Sequence, residues 1–140
     1  MLTIRAVNPA ARGTPPSKLL TRLRVICLEL PEAREEQAWA GVRWNIGKKN
    51  FAHVVALEGG WPPAYARAAR IEDGVVCTFR LDKQHCAALR FRQSPFFRPV
   101  WFPNIAGVIL DDRTDWDEIE LLVKSSYRVL APKKLAAMVE

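Results

Sequence analysis

A chain of 140 residues, 49% hydrophobic and 26% charged, is long enough for one domain with a real core and too balanced in composition for a disordered tail. No apolar run approaches the ~20 residues of a membrane span, and no apolar stretch follows a basic start, so no membrane association is expected and the cytosol is the expected compartment. The formal charge of +6 sits in the middle: residues 43–98 hold ten Lys/Arg against four acids (net +6), whereas 99–140 hold five against seven (net −2), an asymmetry that favours a polyanionic partner as well as solubility.

Residues 1–16 read as a flexible arm. Pro9, Gly13, Pro15 and Pro16 break any helix, and Arg5 and Arg12 make the arm basic. Residues 17–140 form a single α/β domain. Ser17 is placed as the cap of a helix running to about Leu30, in which Leu19, Leu20, Leu23, Ile26, Cys27 and Leu30 make one apolar stripe. Val42, Trp44 and Ile46 then alternate with Arg43 and Asn45, Gly47-Lys48-Lys49-Asn50 signals a turn, and Phe51–Leu57 returns as the second strand of a hairpin. After Glu58-Gly59-Gly60 the stretch from Trp61 to Arg70 reads as an irregular connection.

Val75, Cys77, Phe79 and Leu81 alternate with Val76, Thr78 and Arg80 as another strand, and Asp82 is placed as the cap of a helix over 83–93, stopped by Ser94-Pro95. Phe97–Phe102 and Gly107–Leu110 read as short strands, the first confined to an edge by its prolines. The last helix is the clearest element. Asp115 with Glu118 makes an acidic capping box, and Trp116, Ile119, Leu122, Val123, Tyr127 and Leu130 form its buried stripe. Short turns between neighbouring strands make the sheet antiparallel. The fold class is therefore α+β: a two-layer sandwich, antiparallel sheet with helices on one face, in the order helix, strands, helix, strands, helix.

Three segments in order, CLELPEA (27–33), GKKNFA (47–52) and SSYRVLAPKKLA (125–136), resemble the YjbR (MmcQ) family of small proteins described as DNA-binding. The resemblance spans residues 17–136. It implies a compact α/β sandwich similar to secretion chaperones, and a DNA-binding label that rests on fold similarity.

The residues offer little to catalysis. His53 and His85 are the only histidines; His85 and Cys86 diverge as helix neighbours, and His53 reads as a half-buried strand residue. Two histidines and three scattered cysteines (Cys27, Cys77, Cys86) lack zinc spacing, and the thiols read as reduced, small packing groups. Asp111, Asp112, Asp115 and Asp117 lack the glycine and terminal glutamate of a calcium loop. No enzyme activity, metal or cofactor is expected.

A binding role has more support. Arg43 and Arg80 point away from the apolar side of their strands, and Lys48 and Lys49 sit at a hairpin tip able to reach phosphates. Arg90, Arg92 and Arg98 interleave with Phe91, Phe96, Phe97, Trp101 and Phe102, a pattern suited to charge and stacking on a single strand. The expected partner is DNA, held through Arg43, Lys48, Lys49, Arg80, Arg90 and Arg92 with little sequence selectivity. The alternatives are a protein partner or a homodimer docked through an aromatic stretch such as 96–102, and a small-ligand pocket lined by Trp39, Trp44 and Trp61.

Overall fold

The computed structural model describes residues 12–82, 88–101 and 104–139. Helix α1 (Ser17–Leu28) buries Leu20, Leu23 and Cys27. Its cap position is Pro16 rather than Ser17, with no side-chain cap bond; the Pro15-Pro16 pair fixes an extended entry, and Pro16 O accepts from Leu20 N. Strands β1 (Arg34–Gln37), β2 (Val42–Ile46), β3 (Lys49–Leu57), β4 (Gly74–Arg80), β5 (Phe96–Phe97) and β6 (Ile105–Leu110) form one antiparallel sheet in the order β1-β2-β3-β4-β6-β5. Helix α2 (Pro63–Ala69) lies between β3 and β4, and α3 (Trp116–Leu130) and the short α4 (Lys133–Ala136) close the chain. The α+β sandwich holds.

The main core lies between one face of the sheet and the pair α1 and α3. Trp44, Val54, Cys77, Phe79, Val108 and Leu110 meet Leu23, Cys27, Ile119, Val123 and Tyr127 there. Each fully buried aliphatic side chain stabilises the fold by roughly 1.5–3 kcal/mol. The polar groups in this core are answered. The Trp44 indole donates to Glu35 Oε1 (3.0 Å), itself paired with Arg24, and the Tyr127 hydroxyl donates to Pro31 O (2.6 Å). Burial raises the Cys27 thiol well above its ordinary value and pushes Cys77 up to about 12. Both therefore pack as neutral apolar groups; Cys86 lies outside the described residues.

Between β2 and β3 the register slips: Trp44 pairs with Ala52 but Asn45 with Asn50, leaving Phe51 out of the ladder. Ser126, fully buried on α3, resolves the resulting orphan. Its hydroxyl donates to Phe51 O (2.6 Å) and accepts from Arg80 N (2.8 Å), tying the helix to two strands at once.

Other sequence expectations change as well. The stretch after Trp61 is not irregular: Pro63 opens α2 and Ala66 and Ala69 bury its inner side, an Ala-rich turn too short to show periodicity. Of the helix expected over 83–93, residues 83–87 lie outside the described residues, and Leu89–Arg92 is a single 3-10 turn after an extended Ala88. Of the strand expected over 97–102, Phe102 lies outside the described residues, and the described part is reduced to Phe96–Phe97, because Pro99 has no N–H to give a ladder. Strand β1 was not foreseen, since Arg-Glu-Glu-Gln shows no apolar alternation; it is the sheet's charged edge.

The arm is partly pinned: Gly41 N donates to Arg12 O (2.8 Å), Ala56 N donates to Gly13 O (2.6 Å), and the Arg12 guanidinium stacks 3.6 Å over Trp61. Residues 1–11 lie outside the described residues. No helix among the described residues is long and apolar enough to cross a membrane.

Candidate functional site

The second face of the sheet carries a smaller apolar cluster of Ala40, Val55, Leu57, Val76 and Phe97, covered by Ala66 and Ala69 of α2. Around it the face is polar. One row of cross-strand neighbours runs Glu36, Arg43, His53, Thr78, Gly107, Phe97 from the β1 edge to β5. At the β1 end Glu36 accepts from Asn45 Nδ2 (2.7 Å) and from Arg43, and these two bonds hold its carboxyl below the ordinary carboxylate value. At the other end Gly107 lets the Phe97 ring lie against the strand, since a Cβ there would come within 2.2 Å of Phe97 Cζ.

His53 sits at the centre of the row. Its Nε2 is 2.7 Å from Ala40 O, and its Nδ1 is 3.0 Å from the Tyr65 hydroxyl. A carbonyl only accepts, so Nε2 carries the proton and Nδ1 must accept from the Tyr65 O–H. Burial lowers the His53 pKa and raises that of Tyr65, so both are neutral near pH 7. An unfolded histidine takes a proton near pH 6.5, while the folded one resists it to lower pH. Stability is therefore kept above that value and lost as pH falls below it. Urea midpoints are expected to drop between about pH 7.5 and about pH 5.5, and to drop less in His53→Gln.

Two cavities flank this centre. A small one of about 180 Å³ is lined by Asn50, His53, Tyr65, Thr78, Arg80 and Trp101, among others. A groove of about 860 Å³ lies between the end of α2 and the segment entering and leaving β5. Phe97, Ile71 and Ile109 give it an apolar floor, and Arg70, Arg92, Arg98 and Ser94 give it a polar wall. Arg70 reaches it because it caps α2 in the left-handed conformation (φ 62°), turning the chain out of the helix. Arg98 Nε donates to Ile105 O (3.2 Å).

The cations expected at a binding surface divide. Lys48 and Lys49 are exposed at the β2–β3 tip, and with Arg92 and Arg70 they form no ion pair among the described residues. Arg80 lines the small cavity. Arg43 is engaged by Glu36, and Arg90 by Glu118 (2.6 Å), where it also stacks on Phe91 and Phe96. That pairing takes the Glu118 carboxylate, while Asp115 alone caps α3 through Asp117 N and Glu118 N. The three tryptophans proposed for a small-ligand pocket do not meet: Trp44 is fully buried in the main core, while Trp39 and Trp61 pack together with centroids 5.3 Å apart. Arg70 and Tyr65 were missed because α2 was. The available signal was Pro63 followed by Ala-Tyr-Ala-Arg-Ala-Ala. Among the described residues no three His, Cys, Asp or Glu come close enough to hold a metal ion.

The profile of the YjbR family matches residues 28–129. The chain belongs to the YjbR family. The match covers the sheet, α2 and almost all of α3, so both cavities fall within the part that defines the YjbR relationship, whereas Arg12 and α1 before Leu28 fall outside it. Comparison with curated proteins and with solved structures gives no match.

Proposed function

We propose that this YjbR-family chain is a non-catalytic, cytosolic protein that binds nucleic acid along the second face of its sheet. The observation that carries the reading is the groove: Arg70, Arg92 and Arg98, from three separate segments, line one cleft over an apolar floor. Guanidinium groups are suited to phosphate oxygens by their fork geometry, and an apolar floor tolerates the sugar and base. Lys48 and Lys49 extend the positive surface from the hairpin tip, and contacts of this kind read phosphates rather than base edges, so selectivity is low.

Fluorescence anisotropy with labelled single- and double-stranded DNA across a salt series tests this. The pair Arg70→Glu/Arg92→Glu is expected to weaken binding more than about tenfold and to flatten the slope of log K against log salt by about two. Lys48→Glu/Lys49→Glu is expected to do less. Absence of binding at low salt, or affinity unchanged in both pairs, rejects the proposal. The competing reading, docking of a protein or a second copy, draws on Val25, Leu28, Leu121 and Val129, which the helical layer exposes; it predicts association insensitive to salt.

A further inference from the structure

We infer that the small cavity beside the groove is a pocket for one unstacked nucleobase. The inference rests on the nucleic-acid reading and adds to it that the bound strand is single and is gripped through a base as well as through phosphates.

The polar groups of the cavity have a defined polarity. Because His53 Nε2 gives its proton to Ala40 O, the Tyr65 hydroxyl is committed as donor to Nδ1, and its oxygen offers only lone pairs to a ligand. Thr78 and Asn50 add a hydroxyl and an amide to the same wall. Both groups can donate as well as accept, which suits a ligand with a mixed polar edge. The complement is an N–H facing Tyr65 with mixed donors and acceptors alongside, which is the edge of a base.

Shape agrees. The cavity has the volume of about six waters at ~30 Å³ each, below the ~300 Å³ at which drug-sized sites begin. One wall is Trp101, half-buried and packed edge-on against Tyr65 with centroids 4.7 Å apart, a π-surface on which a base can stack. The cavity also continues the groove. Arg98, Pro99 and Val100 line the groove and Trp101, the next residue, lines the cavity. Ile109 and Ile105, one in each, share a side of β6 at a separation of about 13 Å by strand rise. A backbone held by the arginines can therefore turn a neighbouring base inward.

The test compares a labelled oligothymidylate, an abasic oligonucleotide of the same length and a duplex, on the full chain and on Trp101→Ala and Thr78→Val. The base pocket predicts that the abasic strand and the duplex bind about tenfold more weakly than the oligothymidylate, and that each variant erases this difference without changing the salt slope. Thr78→Val keeps volume and shape, so its effect separates recognition from folding. Equal affinity for thymidylate and abasic strands, with salt-dependent binding intact, overturns the pocket and leaves the groove. Loss of all binding at low salt overturns both.

Discussion

Gly41→Ala is expected to cost the fold about 3 kcal/mol or more, read as a lower urea midpoint with unchanged m-value. Gly41 is buried at the turn between β1 and β2 with φ +76°, where a side chain carries about 1 kcal/mol or more of strain. The larger part is a collision: an added Cβ would stand 2.0 Å from Val54 O, a backbone atom of the central strand β3. Val54 cannot move without disturbing its pairing with Val42 on one side and Cys77 on the other. Gly41 N is also the donor that holds Arg12 O, so the pinned end of the arm should loosen in the same variant. Earlier proteolysis near residues 12–16 would report that. A stability change below about 1 kcal/mol would mean that the turn relaxes at little cost.

Ser126→Ala is expected to lose about 3 kcal/mol, although it removes one oxygen. The hydroxyl serves two backbone groups, Phe51 O at the register slip and Arg80 N at the end of β4. Each buried group left without a partner costs roughly 1–3 kcal/mol. The variant introduces alanine, the most helix-favouring residue, so a loss cannot come from α3 propensity. Ser126→Cys, with a weak donor and acceptor of similar size, should recover part of the loss. A change under about 0.5 kcal/mol would show that water replaces the hydroxyl at both groups.

The parts of the fold legible in sequence are those where one period runs for many residues. In α3 the i, i+3, i+4 stripe from Trp116 to Tyr127 and the Asp115 cap coincide, and the helix starts where both indicate. The strands β2 and β4 were legible because alternation separates Trp44 and Cys77 from Arg43 and Thr78. Elements shorter than two periods were not legible. Strand β1 has four polar residues, whose place comes from pairing with β2, and α2 has seven residues and rests on burial of alanines. The site suffered accordingly. Arg92 and the Lys48-Lys49 tip were named from charge alone, but charge says nothing of partners. Only packing reveals that Arg43 and Arg90 are matched by Glu36 and Glu118, residues 7 and 28 positions away. The His53–Tyr65 contact joins a strand to the missed helix, so no local pattern carried it.

The two borders of the sheet decide how other molecules can approach. One border is Arg34–Gln37, four residues rich in charge, with Glu35 and Glu36 engaged by Arg24 and Arg43; the other is the two-residue β5. A short strand gives an incoming peptide few backbone hydrogen bonds, and a charged one repels most registers. Extension of the sheet by a foreign strand, the common route to peptide capture and to ordered aggregates, is thereby disfavoured at both ends. The proposed binding on the broad surface, made by side chains rather than main chain, does not depend on either border.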